Sequence, residues 1–577
     1  DGGVNGWVSG AIVNNASLVY DLATEYVFPR ELSGSGRVSF RGGGTVHFEG
    51  SAFAGPVFLN GADLILARGV SSAAAFTVGA DSTLSGAGTI GALTVNDGGV
   101  VSPGYSPGTL QVSGSVAFNS GSTYRADVAP GHVNDLIAAG GALSIADGSR
   151  LDIKGARGSY ANSWTFTILS AAGGVSGAFS EATSNFAFLD PLLTYGSTFV
   201  DVTLVRKDIP FAAEAFTQNQ WATAVALESL GAGNAVYDAV ASQLKGEAHT
   251  AFDALSGEAY ASVETVMQQQ SAYVRDGVTG RLRQAFAIDG AGGPATAGFG
   301  GGLALVMWVQ GFGGWGETFS DGNAASISNS IGGVLGGVDA PLGENWRIGA
   351  YGGYSASWFD VSARASSGSM DNYNAGLYAG ARYGQVALRL GGGYAWHDVS
   401  LSRSVAFPGY AAQVSSGYTG GEAQLFGQVG YDFSANGLAF EPFAGLAYVH
   451  LEGASAVESW SSAALDVSTG AMDTLYGTLG LRIAAPFDLA GHTVTPSLMA
   501  GWQHAFGDII PEASMRFAGG STPFSVLGAP IAIDTAVVLA GLGYALSPLA
   551  TLTLKYDGQI ASSAVESAFT GQLQIRF

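Results

Sequence analysis

The closing stretch Ser567–Phe577 sets Phe569, Gly571, Leu573, Ile575 and Phe577 on one face of a strand and Thr570, Gln572, Gln574 and Arg576 on the other. Side chains alternate with period two along an extended chain, so one face is apolar and the other polar. In a soluble sandwich the polar face meets water; in a transmembrane barrel the apolar face meets lipid and the polar face lines a lumen. One strand cannot decide, but the alternation recurs back to about Leu305. Trp346, Ile348, Tyr354 and Trp358 oppose Asn345, Arg347 and Ser355, and Val386, Leu388, Leu390, Tyr394 and Trp396 oppose Gln385, Arg389 and His397. The apolar faces begin or end in Trp, Tyr or Phe, as an interfacial aromatic girdle does. A sandwich has no reason to place aromatics at strand ends, so the pattern predicts a barrel. About twelve strands are expected, starting near Met307, Ser328, Trp346, Asn372, Gln385, Gly421, Leu438, Met472, Thr493, Asp534, Ala550 and Ser567.

The barrel is also what the absence of apolar runs requires. No apolar run of roughly 18 residues occurs, so a membrane crossing must be made by closed strands. Gly contributes 88 of 577 residues, twice its ordinary share, which suits tight turns and closely packed strands. There is no cysteine, hence no disulfide scaffold and no thiolate metal site. The net charge of -22 argues against nucleic acid as a partner. The chain opens abruptly at Asp1, which reads as a mature product or a truncation.

From Asp1 to about Arg206 the chain is a series of short β-prone runs broken by Gly, Asn, Asp and Ser. Gly44-Thr45-Val46, Gly88-Thr89-Ile90 and Gly108-Thr109-Leu110 begin alike, which predicts a coil of roughly 20–22 residues per turn. Leu84, Ile90, Leu93, Val95, Val100, Leu110, Val112, Val116 and Phe118 would stack inward. The expected form is a right-handed parallel β-helix, with an irregular sandwich as the alternative. Around Trp164, aromatic and β-branched residues concentrate; Trp164, Phe166 and Leu169 are the candidates for a cap that closes the last rung, spanning about 160–206.

After Pro210 the apolar period changes to that of helices, expected over Phe211–Leu230, Asn234–Leu244, Ala248–Leu255 and Gly257–Phe286. In the last, Ala259, Val263, Val266, Gln270 and Val274 form a thin stripe surrounded by Gln268, Gln269, Ser271 and Arg275. That suits a helix threaded through a polar channel, or a surface helix between domains. Arg275, Arg281 and Arg283 could pair with lumen carboxylates such as Glu422, Glu441 or Asp432, or stay solvated. A glycine-rich hinge follows at Ala291–Gly302. The expected organisation is thus an all-β chain: solenoid 1–206, helical linker 207–256, lumenal helix and hinge 257–304, and a transmembrane antiparallel barrel 305–577.

Together these segments resemble the autotransporters of type V secretion in Gram-negative bacteria. VSPGYSPGTLQVSGSVAF (Val101–Phe118) is similar to a passenger repeat, WTFTIL onward to an autochaperone region, LSGEAYASVETVMQQQSAYVRDGVTGRL to the linker helix, and MWVQGFGGWG through Phe577 to the β-domain. The resemblance implies a monomeric barrel in outer-membrane lipid that exports its own passenger. It also implies handling by periplasmic chaperones and by the barrel assembly machinery, which would read Phe577 with Leu573 and Ile575. Some members cleave themselves between two Asn in the lumenal helix; Gly257–Phe286 holds no Asn-Asn pair.

Motifs for chemistry are weak. Gly104-Tyr105-Ser106-Pro107-Gly108 satisfies G-x-S-x-G, but the elbow needs a helix after it and Pro107-Gly108 lead into another strand. Neither Gly86–Gly91 nor Gly311–Gly316, both G-x-G-x-x-G, opens a helix after a strand. The seven histidines are scattered; His397 beside Asp398 and His504 near Asp508 read as loop or rim residues. The expectation is therefore no catalytic, cofactor or metal residue and no enzyme within this chain. Its passenger is expected to be an adhesin or virulence-related interaction module. The alternatives are a protease or esterase encoded upstream of Asp1, or a general diffusion channel, against which the helix before the barrel argues.

Overall fold

The structure, a computed structural model, describes residues 11–28, 32–49, 53–160, 164–286, 305–547 and 550–576. The expected hinge at 291–302 and the terminal Phe577 lie outside those residues. Two compact units emerge: one of residues 1–214, 231–248 and 408–410, the other of the remainder.

The first unit is a parallel β-helix of three sheets. Apolar residues at alternate positions of each short strand point inward and stack rung on rung: Val38, Val57, Phe76, Leu93, Val116 and Leu143 form one such buried ladder. Each buried side chain of this kind contributes about 1.5–3 kcal/mol. The rungs are not of constant length. Stacked partners are 17 residues apart at Phe76–Leu93 and 32 apart at Leu143–Val175, because the inter-strand loops lengthen and one strand of the rung grows from two residues, Thr89–Ile90, to seven, Thr165–Ala171. Constant spacing was therefore a wrong expectation. Thr45–Val46 belong to a different sheet from Thr89–Ile90, and Thr89 stacks on Gln111, not on Thr109. Of the expected inward residues, Val100 faces outward and Val101 takes the core position.

The solenoid ends by changing pairing direction. Thr165–Ala171 runs parallel to Leu136–Ala139 on one side and antiparallel to Phe199–Arg206 on the other, and that strand pairs antiparallel with Leu189–Tyr195. An antiparallel hairpin cannot template another parallel rung. Leu169 and Phe166 are buried there, whereas Trp164, expected among them, is half-buried, its ring 4.5 Å from that of His132. Residues 231–248 complete this unit. Asn234 caps helix α2 (Ala235–Ala241), accepting from Val236 N at 2.9 Å, and Arg157 grips Glu247 at 2.6 Å.

Helices α1 (Gln218–Leu230), α3 (Ala248–Leu255) and α4 (Ala259–Ala285) belong to the second unit, with the barrel. Twelve antiparallel strands close it: β1 (Val306–Thr318), β2 (Ile327–Leu342), β3 (Trp346–Val361), β4 (Ser366–Tyr383), β5 (Val386–Phe407), β6 (Tyr410–Tyr431), β7 (Leu438–Leu451), β8 (Met472–Ala484), β9 (His492–Gly507), β10 (Asp534–Ser547), β11 (Ala550–Ile560) and β12 (Ala564–Arg576). Closure is made by β1 against β12 in thirteen consecutive pairs, from Val306–Arg576 to Thr318–Ala564. Ile348, Trp358, Leu425 and Phe569 face outward, while Gln572, Gln574, Glu422 and Thr474 are buried inside, as the alternation predicts. The long connections after β7 and β9 build an additional antiparallel sheet of Ser455–Val457, Leu465–Thr469, Glu512–Phe517 and Phe524–Leu527 around Leu465, Phe517 and Val526.

Two outcomes test the solenoid. Leu169→Ala, which empties a fully buried site, should cost about 2–5 kcal/mol and raise protease sensitivity of the solenoid; Trp164→Ala should change digestion less. In the second, Asp135 accepts from Gly108 N at 2.7 Å and Asp127 N at 3.0 Å. Burial pushes its carboxyl up to about 7 against those two bonds, and the neighbouring Asp127 charge adds to the rise. A carboxyl whose folded pKa lies above its unfolded value binds the extra proton in the folded state, so stability falls as pH rises from about 4 to about 7. Denaturant midpoints of the full chain in detergent should decline across that window, and Asp135→Asn should flatten the slope.

Candidate functional site in the barrel lumen

The polar surround of α4, too wet for lipid, is bonded to the inner wall strand by strand. Gln270 accepts from Ser357 Oγ on β3 at 2.7 Å, Gln269 donates to Thr318 on β1 at 2.9 Å, and Gln284 donates to Gln572 on β12 at 2.9 Å. Tyr273 stacks on Phe312 with centroids 5.1 Å apart. Val263 is fully buried, and the Arg275 guanidinium lies 5.6 Å over the Tyr476 ring. Gly277 permits a close approach to the wall: a Cβ there would stand 2.7 Å from the Gln310 amide nitrogen and 2.8 Å from Leu335.

The strongest anchor is ionic. Arg281 places Nε 2.6 Å and Nη2 2.9 Å from the two oxygens of Asp339 on β2, both side chains at most 1% exposed. Asp339 also accepts from Arg347 Nε at 2.7 Å and from the Tyr378 hydroxyl at 2.8 Å, and Trp308 donates to Tyr378 at 2.8 Å. A buried pair stabilises only when its remaining hydrogen-bonding capacity is met; that of the carboxylate is met here, while Arg281 Nη1 is buried without a partner among the described residues. The expected partners of the helix arginines are corrected by this arrangement. Glu441 is taken by Arg389 and Arg482 of the wall, Asp432 by Arg382, and Glu422 lies 3.6 Å from His397. Alternation could have found Asp339: it follows the outward Val338 and so must face the lumen.

At the outer end of α4, Glu258 is buried against Arg364 at 2.9 Å, Asn219 at 3.1 Å and Ala325 N at 2.8 Å. Arg403 pairs with Glu458 at 2.6 Å, and Tyr260 donates to the same carboxylate at 3.0 Å. The lumen is therefore occupied by a helix held at both ends by compensated charge, which is the arrangement of a plugged pore.

A family model of the autotransporter β-domain matches residues 307–557. The chain carries an autotransporter β-domain. The resemblance drawn from the sequence holds for the barrel, and with it the location: the barrel sits in the outer membrane and the passenger is exported to the cell surface or secreted. An extracellular serine protease of Serratia marcescens is 29% identical over 599 residues, 95% of this chain and 56% of its own length. A second of that name and organism is 28% identical over 600 residues, with the same shares. The chain spans just over half the length of these relatives. Among solved structures, the β-domain of the Bordetella autotransporter BrkA aligns with a TM-score of 0.38 and 20% identity, covering 48% of this chain and 100% of that one. The expectation of no enzyme is corrected by the two relatives: proteins that align over 95% of the chain are named proteases.

Removing the helix should open the pore. In planar bilayers, the chain lacking 257–286 should show a larger, steadier conductance than the full chain; equal conductance would contradict the plug. Arg281→Ala, which removes one of the two guanidinium partners of Asp339 and leaves Arg347 in place, should lower barrel stability by about 1.5–3 kcal/mol, read as a lower temperature for the heat-dependent shift on gel electrophoresis.

Proposed function

We propose that this translocator serves the export of an extracellular serine protease. The supporting observation is the extent of the similarity: both protease relatives align over 95% of the chain. Likeness restricted to the barrel at 307–557 would say nothing of the cargo. Here the solenoid is shared too, and the adhesin reading gives way to the protease one. In this reading the solenoid folds outside the cell as the part of the passenger that joins the protease to the translocator, with Phe166 and Leu169 closing its last rung. Cells expressing the full encoded protein should release or display casein hydrolysis that diisopropyl fluorophosphate abolishes. A passenger shown at the surface by antibody, without inhibitor-sensitive hydrolysis, would overturn the assignment.

We propose further that the end of β12 addresses the barrel assembly machinery, with periplasmic chaperones delivering the unfolded chain and the finished barrel standing as a monomer in outer-membrane lipid. Ile575 is exposed on the outer face and Leu573 partly so, a side-chain pattern that an assembly factor could read by adding a strand. Deleting Phe577 leaves the β12 ladder able to close, so outer-membrane yield in cells should fall far more than the unfolding midpoint of refolded protein. Proportional falls would reduce Phe577 to a piece of the girdle.

A further inference from the structure

The helix does not fill the lumen evenly. Its hydrogen bonds and ion pair reach β1, β2, β3, β11 and β12, and Arg275 leans on Tyr476 of β8; beside the face carrying Ala272, Asp276, Thr279 and Arg283, at three- and four-residue spacing, space remains toward β6–β11. Three cavities follow one another along that face. The middle one, about 110 Å³, shares Gln269 and Gln503 with an upper one of about 30 Å³, and Arg283 and Met499 with a lower one of about 400 Å³. The lower cavity reaches Phe433 and Ser434 beside the short turn between β6 and β7, the kind of turn that faces the periplasm. Carboxylates (Asp276, Asp557, Glu566) and cations (Arg275, Arg283, Lys555) both line the middle cavity. These charged groups, with Gln269, Gln503 and Thr570, supply the two to four polar partners that a water needs there.

The passage narrows toward the outer side and ends under Ile531 and Ala532, in the connection before β10. That connection is fastened to the helix. Ala529 N donates to Ser262 Oγ at 3.0 Å and Thr265 Oγ1 donates to Ala529 O. The Asn219 side chain pairs with Leu527 as a strand would, accepting from its N and donating to its O, each at 2.8 Å. Gly528 lies so close that a Cβ on it would stand 2.5 Å from Ser262 N. Ala529 and Ile531 are buried by this contact.

We propose that the outer seal of the barrel is this loop latch, Leu527–Ala532 closed on Ser262 and Thr265, and that it caps a water-filled side passage that, among the described residues, runs to the periplasmic end of the barrel. The helix alone does not make the barrel tight. Opening the latch with α4 in place connects the passage to the exterior for small hydrated ions, with weak charge preference because both signs line it.

The test is single-channel recording of the full chain in planar bilayers. Thr265→Val with Asn219→Ala should raise the frequency of small openings at least several-fold over the parent, each well below the conductance of the chain lacking 257–286. The chain has no cysteine, so adding Ser262→Cys and Ala529→Cys to that variant gives one lockable pair. Oxidised, it should silence the openings; a reductant added to the same membrane should restore them, which a misfolded barrel would not do. Openings unchanged from the parent, openings as large as those of the helix-free barrel, or insensitivity of the cysteine variant to oxidation would each overturn the latch.

Discussion

Backbone N–H and C=O groups have no water to bond in hydrocarbon, and each left unpaired costs several kcal/mol. The thirteen pairs between β1 and β12 are where this chain meets that demand. Without them the sheet has two bare edges and no lumen. Once it is closed, the alternation along every strand acquires its meaning: the face of Phe569 and Ile575 meets lipid, and the face of Gln572 and Gln574 encloses a polar interior. Every further feature of the second unit follows from having to fill or manage that interior.

A polar interior can hold a helix only if the helix brings polar groups to it. α4 does so with glutamines that bond wall side chains on β1, β3, β8, β11 and β12 and with Arg281, whose charge is offset by Asp339. The desolvation cost of such a pair is large, and its value lies in position: moving Arg281 by one helical turn would leave its buried guanidinium unpaired, while Asp339 would keep Arg347. The pairing thus favours one depth for the helix in the pore. The loops above reuse the same economy, with Asn219 standing in for a strand neighbour at Leu527.

The solenoid solves the edge problem differently. Its rungs pair in parallel, and each depends on the one before, so the array stops only where pairing direction changes at Thr165–Ala171. Lengthening of the rungs from 17 to 32 residues adds loop and leaves the inward apolar ladder intact. Loop length costs little, growing only as its logarithm, which is why such a coil can carry irregular insertions.

Strand number, the face each strand shows to lipid and the position of the helix before the barrel were legible in the sequence, because period two and period 3.6 are local properties of side-chain order. Within the solenoid the same reading misjudged Val100 for Val101, since a Gly-rich turn at Gly98–Gly99 resets the phase and short strands offer too few residues to detect it. Arg281 could be named as a lumen charge but not given its partner: Asp339 is 58 residues away, and which inward residue it meets depends on the stagger of twelve strands. The loop sheet and the latch at Ala529 were equally out of reach, because they join segments that only barrel closure brings together. The sequence by itself determined the alternating faces and hence the two environments. Tertiary structure alone decided which charge meets which, because register and closure are properties of the whole ring and no single strand contains them.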